Sequence, residues 1–515
     1  MVRPFDFGRI ELIAGSGTQR AVPKEDEPFI IAVLGDFNGS GATARWRSIS
    51  QRRFLQVDRD NLDEIMAQLQ PAITLPMGSD ETLILHFREL DDFHPDRLIE
   101  NAEMFRRLRE LRRRMKDPAT FSAVAEELGL GPAPPRAMQR SAATATAESV
   151  VSSAVSAPPG SLLEDIVEQS EGATESRRPY RPDELQEFVR RITKPHLEEK
   201  ADDRQADALK MIDRALSAQM RALLHVPSLQ ALEAAWRAVY FLTRRIDTGP
   251  ELKLYLIDIA QDELRDDLLS TSDLRQSETY KLLVEKTVGT PGAERFALLV
   301  GNYTFGDGPG ELLALGRMAK IARAAGAPFL AAASPRLVGC ESVAEMSERR
   351  DWGVPLRAEA AAAWKAVRQL PEAAWIGLAI PRFLLRLPYG KDTDPIESFD
   401  FEEMPGEPEH EDYLWGNPAN ACAELLAQSF SDDGWEIRPG THSEIDGLPL
   451  HVYKHGGESE LKPCAEALLT EDAAEKILES ALMPLVWLKG MDAVRLVRIQ
   501  SVAEPLRALA GRWQG

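Results

Sequence analysis

The stretch that decides the fold is WIGLAIPRFLLRLPYGKDTDPIESFDFEEMPGEPEHEDYLWG, residues 375–416. Its first part is apolar and is interrupted by Pro381, Pro388 and Gly390, which predicts a buried strand leading into a tightly packed crossing. Its second part predicts a loop, because residues 392–412 contain ten carboxylates and no lysine or arginine. That much unpaired charge is costly to bury, so we expect this loop to face solvent or a basic partner.

Apolar strands alternate with helical stretches on both sides of this stretch. Helices are predicted at 206–224 and 229–243, and strands at 252–259, 296–303, 328–334, 375–380, 448–453 and 483–488. The alternation predicts an α/β fold with a mostly parallel sheet and helices on both of its faces.

Residues 1–128 predict a smaller α/β unit. The continuous apolar run at 28–37 is typical of a fully buried strand, and a capped helix at 60–69 and a strand at 82–87 follow. A long helix is predicted from Pro95 onward. Alternation in PFDFGRIEL near the start predicts an edge strand at 5–12.

Residues 129–160 are rich in Ala, Pro, Ser and Thr, which predicts a flexible linker. Such a segment spans roughly 30 Å on average. The predicted organisation is therefore a small region at 1–128, this linker, and a large region at 161–515.

Charge and motifs exclude several function classes. A net charge of −21 and a pI near 5.0 argue against binding of nucleic-acid phosphates as a general mode. No apolar run is long enough to span a membrane and no signal peptide is evident, so we expect a cytoplasmic chain. The cysteines Cys340, Cys422 and Cys464 are far apart, which favours buried, reduced thiols.

An enzyme would place its ligand at the carboxyl ends of the parallel strands, near Asn302, Ser334 and Arg382. The glycine-rich stretches GDFNGSG and GNYTFGDGPG match no phosphate-binding spacing, and no histidines have metal-ligand spacing. His410 is predicted to be a loop histidine near carboxylates, with a cation site as the alternative. We predict no catalytic residue, no cofactor and no metal.

Several of these stretches resemble a known family. PRFLLRLPYG (381–390), the acidic loop and HEDYLWGN (410–417) resemble the large sheath protein of bacterial type VI secretion, as do residues 212–236, 301–306 and 327–339. FIIAVLGDFNG (29–39), FLQVDRDNLDEIM (54–66) and LHFRELDDFHPDRL (85–98) resemble the small sheath protein, which is usually a separate chain. The resemblance implies a fusion of the two in one intertwined body.

The resemblance implies a structural subunit of a contractile sheath that surrounds an inner tube and is recycled by an AAA+ ATPase. The expected partners are other sheath subunits, an inner tube protein and that ATPase. The alternative is a non-polymerising binding or regulatory module, such as a cap, a terminator or an assembly modulator. The resemblance also implies further helices and a donated strand beyond residues 496–506, so we expect this chain alone to form at most small oligomers.

Three candidate interaction sites follow. The predicted N-terminal strand would pair with a neighbouring subunit through Phe5, Phe7, Ile10 and Leu12. An amphipathic helix at 161–169 is a candidate ATPase-docking segment, or else a helix that packs on the body; its apolar side is formed by Leu162, Leu163, Ile166 and Val167.

The third candidate is a pair of opposed charge patches, which either set the register between stacked subunits or are unrelated solvated surfaces. The basic patch contains Arg106, Arg107, Arg109, Arg112, Arg113 and Arg114, and the acidic patch contains Glu402, Glu403, Glu409, Glu411 and Asp412.

Overall fold

The computed structural model describes residues 5–10, 23, 27–39, 48–76, 82–117, 120–121, 123–124, 203–347 and 352–513. The chain divides into two compact units. The first unit combines Met1–Arg109 with Asp213–Gly515, and the second is Glu110–Ile212. Within the second unit, the Gln205 side-chain amide donates to the Met115 carbonyl over 2.7 Å.

The strands follow the predicted alternation with helices. In chain order they are β1 (Phe29–Gly35), β2 (Leu55–Val57), β3 (Ala72–Pro76), β4 (Thr82–His86), β5 (Leu252–Asp258), β6 (Leu298–Phe305), β7 (Phe329–Ala333), β8 (Ile376–Ile380), β9 (Phe383–Leu384), β10 (Trp415–Gly416), β11 (Glu444–Ile445), β12 (His451–His455), β13 (Glu458–Lys462), β14 (Met483–Trp487) and β15 (Val494–Leu496). The helices are α1 (Leu62–Leu69), α2 (Pro95–Asn101), α3 (Glu103–Lys116), α4 (Asp203–Leu224), α5 (Pro227–Arg245), α6 (Gln261–Leu269), α7 (Pro309–Ala325), α8 (Ala358–Arg368), α9 (Pro418–Asp433) and α10 (Glu471–Glu479).

In the part of the chain that the structure describes, nine strands form one sheet in the order β11-β15-β14-β8-β7-β6-β1-β5-β2. The pairs from β5 through β1, β6, β7 and β8 to β14 are all parallel. Antiparallel strands close both edges, with β2 beside β5 and β15 and β11 beyond β14. The predicted mostly parallel sheet is confirmed.

Strand β1 comes from the small region but lies in the middle of this sheet. All seven of its residues are buried, and it pairs in parallel with β5 on one side and β6 on the other. β5 and β6 are consecutive in the large region, so without β1 their facing edges would lack a hydrogen-bonding strand. Within the first compact unit, strands of the small and large regions therefore alternate in one sheet.

Alternate residues of β1 point to opposite faces of the sheet, as the period of a strand requires. Ile30, Ala32 and Leu34 join the apolar cluster that includes Leu312 and Leu315 of α7. On the other face, the Phe29 ring lies 4.8 Å from the ring of Phe430 in α9. Helices therefore cover both faces of the sheet, as predicted.

Three sequence predictions need correction. The long helix predicted from Pro95 is broken at Ala102, where the backbone is extended and α2 ends. The Arg109 guanidinium donates to the carbonyls of Ile99 and Glu100, which replaces helical partners that the break removes. Helix α1 begins at Leu62, and Asn61 before it makes no side-chain capping bond.

The strand predicted at 448–453 forms at His451–His455, outside the large sheet. It pairs with β13 in a hairpin whose turn is Gly456–Gly457, with φ values of 59° and 91°. Two adjacent glycines with positive φ favour a tight hairpin turn, and this local preference defines the pair.

Candidate assembly interface

The large region contains a buried ionic cluster that fixes the acidic loop to α5. Arg386 follows β9 and lies between two carboxylates, Glu233 of α5 and Glu403 of the acidic loop. Its Nη1 and Nη2 donate to the two oxygens of Glu403 over 2.8 and 3.0 Å, and its Nε donates to Glu233 over 2.8 Å. The Glu403 and Glu233 side chains are 0% exposed.

Tyr389 packs beside this cluster. The Arg386 guanidinium lies 4.2 Å from the centroid of the Tyr389 ring, and the Tyr389 backbone amide donates to Glu403 over 2.7 Å. Arg237 donates to Glu233 over 2.6 Å and to the Tyr389 hydroxyl over 3.0 Å. Each charge is thus matched by an opposite charge or a hydrogen bond, which is the condition for burying charged groups.

The electrostatics of Glu403 reflect these partners. Burial by itself raises the pKa of the Glu403 carboxyl, but Arg386, His225 and the Tyr389 amide outweigh burial and lower this pKa to about 2. The Glu403 side chain is therefore ionised throughout the physiological range.

Helix α2 of the small region binds the acidic loop near its start. The Asp96 carboxylate accepts hydrogen bonds from the backbone amides of Glu397 and Ser398, each over 2.9 Å. The His94 ring lies 5.0 Å from the Tyr389 ring in an edge-on arrangement. The small and large regions thus meet at the acidic loop as well as at β1.

The predicted acidic patch is only partly a surface feature. Glu402, Glu409 and Glu411 are exposed, whereas Glu403 is buried and meets a basic side chain of the same chain, Arg386, rather than solvent. Asp412 is half-buried and lies 3.0 Å from His225 Nδ1. Burial raises the pKa of Asp412, with His225 acting in the opposite direction. Composition counts carboxylates but does not show which of them meets an arginine.

A second buried carboxylate, Glu466, orders the end of the acidic loop. Its Oε1 lies 3.1 Å from His410 Nε2, and its two oxygens accept bonds from the Arg382 backbone and guanidinium. The His410 ring also stacks on Trp415 at 5.1 Å. Burial raises the pKa of Glu466, but His410 and Arg382 outweigh burial and lower this pKa to about 2. His410 therefore lies near a carboxylate, as predicted, but that carboxylate is outside its own loop.

The predicted N-terminal strand lies partly within the described residues. Within residues 5–10 the structure has one isolated bridge, from Arg9 to Asp273, in place of the predicted strand; Leu12 lies outside the described residues. The Phe7 ring covers Gly316 of α7, where an added Cβ would lie 2.3 Å from the ring. Phe5 and Ile10 are half-buried. The role of these residues in contacts between subunits stays a prediction.

Buried Arg317 of α7 anchors this N-terminal segment. Its Nη2 and Nε donate to the Asp6 carbonyl over 2.8 and 3.1 Å, and Lys320 donates to the Gly8 carbonyl over 2.8 Å. Because the acceptors are backbone carbonyls, these bonds hold the path of the chain rather than particular side chains.

The predicted basic patch lies on α3. Arg106, Arg107, Arg109 and Arg113 are exposed, and Arg112 and Arg114 are half-buried. Arg106 pairs with Glu103 one turn earlier, and Arg109 holds the end of α2. The predicted docking helix, with Leu162, Leu163, Ile166 and Val167, lies outside the described residues.

Residues at the carboxyl ends of the strands have structural partners. Arg382 pairs with Glu466, and Ser334 caps the turn after β7 by accepting a bond from the Arg336 amide. Among the described residues, no group of His, Cys, Asp and Glu side chains is arranged to hold a metal ion. No helix in that same set is both long and apolar enough to cross a membrane.

Comparison with known families accounts for this architecture. Residues 206–503, more than half of the chain, match the VipB family, described as "EvpB/VC_A0108, tail sheath N-terminal domain". The chain belongs to this family. Residues 8–123 match a second family, "Type VI secretion system, VipA, VC_A0107 or Hcp2". Both halves of the predicted fusion are confirmed.

Two relatives from Pseudomonas aeruginosa strain PAO1 show the same division. The chain is 35% identical over 300 residues to the type VI secretion system sheath protein TssC1, covering 57% of this chain and 60% of TssC1. It is 25% identical over 107 residues to the sheath protein TssB1, covering 20% of this chain and 62% of TssB1. The chain therefore spans about three fifths of the length of each relative.

Sequence reasoning missed the central members of the ionic cluster, Glu233, Arg237 and Arg386. A signal was present, since Glu233 interrupts the apolar face of α5 next to buried Leu232 and Trp236, and Arg386 interrupts an apolar run. A charged residue inside a buried pattern is rarely unpaired, so each one predicts an opposite charge nearby.

Proposed function

We propose that this chain is a structural subunit of a type VI secretion-like contractile sheath, with the small and large sheath regions joined in one polypeptide. The role is structural, with no catalytic activity. Its partners are other sheath subunits, and the resemblance implies an inner tube protein and an AAA+ disassembly ATPase as further partners in the cytoplasm.

The position of β1 carries this proposal. A segment that matches the small sheath family supplies a fully buried strand to the sheet of the segment that matches the large sheath family. The Asp96 bonds to the acidic loop and the His94–Tyr389 ring contact extend the same joint surface. A joint of this extent supports one rigid building block, which a sheath needs in order to transmit force between subunits.

Co-assembly tests the proposal. The fluorescently labelled chain is co-expressed with a full-length large sheath protein and its small partner, and purified sheaths are imaged. We expect label along the whole length of the sheaths. A label confined to sheath ends would support a cap or terminator instead, and a chain absent from sheaths would refute the structural role.

The candidate docking helix is a separate part of the proposal. Leu163→Asp with Ile166→Asp should abolish capture by a cognate AAA+ ATPase and leave thermal stability unchanged. A drop in melting temperature of several degrees would show instead that the helix packs on the body, where buried charge is costly.

A further inference from the structure

The apolar sequence of β1 does not by itself define how the strand is aligned with its neighbours β5 and β6. All seven of its residues, FIIAVLG, are apolar and buried, so a slip of one or two positions would still place apolar side chains against apolar neighbours. Alternation of polar and apolar residues fixes the register of a strand with one wet face, but β1 has none. A feature beyond the strand must select the observed register.

That feature lies just past the carboxyl ends of β1 and β5. Gly35, the last residue of β1, is in register with Asp258, the last residue of β5. The Asp258 carboxylate accepts bonds from the backbone amides of Phe37 and Asn38 over 2.9 and 3.2 Å, and from the Asn38 side-chain amide over 2.7 Å. One carboxylate of the large region thus gathers three donors from the segment after β1.

Arg52, also from the small region, closes the cluster. It donates to the Asp258 carbonyl, and its Nη2 donates to Glu263 over 2.7 Å. The Asp258 and Arg52 side chains are only 15% and 11% exposed. Burial raises the pKa of Asp258 to about 6, with Arg52 acting against burial and Asp36 acting with it.

The geometry points to Asp258 as the residue that sets the register of β1: we propose that the Asp258–Asn38–Arg52 cluster locks β1 at one position between β5 and β6. A slip of two residues carries Phe37 and Asn38 past Asp258, and the buried carboxylate loses its three donors. An unsatisfied buried charge is far more costly than an exchange of one apolar contact for another. The cluster also defines which segment can pair between β5 and β6: an apolar strand followed closely by amide donors.

Engineered disulfides report the register directly. Val33 lies opposite Val300 in the β1–β6 pair, so Val33→Cys with Val300→Cys reports the native register. Ile31→Cys with Val300→Cys reports a strand displaced by two residues. Both pairs are built into the full-length chain, which is refolded under oxidising conditions, and the cross-linked fraction is measured by mass spectrometry. Cys340, Cys422 and Cys464 are buried and common to all variants.

We expect Asp258→Leu to lower the ratio of native to displaced cross-link by about tenfold, as the loss of several hydrogen bonds to a buried charge implies. Asn38→Ala, which removes one donor, should lower the ratio less. Glu466→Gln, which alters a buried ion pair away from β1, serves as the control for general destabilisation and should leave the ratio unchanged.

Hydrogen exchange in β7 and β8 shows whether each variant is folded. If Asp258→Leu does not fold, Asp258→Asn, which keeps the side-chain volume, is measured in its place. A folded Asp258 variant with an unchanged ratio would overturn the proposal, because packing alone would then set the register. An equal fall in Glu466→Gln would overturn it as well.

Discussion

Arg386 and Glu403 form a buried bidentate ion pair, with Nη1–Oε2 and Nη2–Oε1 distances of 2.8 and 3.0 Å. Their side chains are 8% and 0% exposed. The pair joins the strand region after β8 to the acidic loop, and Glu233 extends it to α5. The loop whose composition suggested a solvated surface is therefore anchored through its centre.

Removal of one partner of this pair should be strongly destabilising. We expect Arg386→Met or Glu403→Leu alone to lower the free energy of unfolding by about 3–5 kcal/mol, because the remaining charge stays buried without its partner. The double variant should lose less than the sum of the two single losses. Urea unfolding measures all three, and Glu402→Gln, an exposed neighbour, is the control. Additive losses would show that the two residues do not act as a pair.

The pH dependence of stability should reveal the two buried carboxylates. The pKa values of Glu403 and Glu466 are about 2 in the folded chain, against an ordinary value of 4.5. Because folding lowers these pKa values, their contribution is complete above pH 4.5 and is lost as the pH falls from 4.5 toward 2. Each contributes about 3 kcal/mol at neutral pH.

Unfolding in urea at pH 6, 4.5 and 3 measures this loss. The Glu403→Gln variant should show a shallower decline in stability between pH 4.5 and 3 than the parent chain. An identical slope in both proteins would contradict the assignment of acid sensitivity to Glu403.

Strands were predictable where a continuous apolar run is bounded by glycine, proline or polar residues. The run at 28–37 and the runs at 328–334 and 375–380 became β1, β7 and β8 within one or two residues. The position of β1 between β5 and β6 was not encoded locally, since it depends on pairing between residues more than 200 positions apart. Family resemblance indicated association of the two regions, but not this strand order.

The charged sites were less predictable, because a side chain's partner depends on the tertiary structure. The carboxylates of residues 392–412 look alike in the sequence, yet among them Glu403 alone pairs with Arg386. The chain folds back so that the Tyr389 amide donates to Glu403, which places Glu403 beside Arg386. Similarly, nothing near His410 indicates Glu466, which follows the β12–β13 hairpin.

Docking of residues 5–10 should depend on the absence of a side chain at position 316. Gly316→Ala places a Cβ 2.3 Å from the Phe7 ring and should release the segment, whereas Gly310→Ala in the same helix meets its nearest atom at 4.0 Å. We expect hydrogen exchange at residues 5–10 to rise about tenfold or more in the first variant only. Equal exchange in both variants would show that Arg317 holds the segment without Phe7.

Cleavage of the predicted linker at 129–160 should not separate the two regions. β1 is hydrogen-bonded on both sides and Asp96 holds the acidic loop, so the fragments should elute together from a sizing column at low micromolar concentration. Val33→Pro removes a ladder donor in the central strand and should let the fragments separate after the same cleavage. Separation of the cleaved parent chain would contradict a joint that is stable without the linker.

The exposed arginines of α3 test whether the charge patches act between subunits. If they contact acidic residues such as Glu409 and Glu411 of a neighbour, Arg107→Glu with Arg113→Glu should weaken self-association by about tenfold. The same substitutions should not strengthen association through any other surface. Arg53→Glu with Arg498→Glu makes the same change in net charge at other exposed positions and should have little effect.

Sedimentation velocity measures association at low salt and again at about 1 M salt, where charges are screened beyond about 3 Å. The difference between the two variants should disappear at high salt. Equal association of both variants with the parent at low salt would show that the patches are solvated surfaces with no part in assembly.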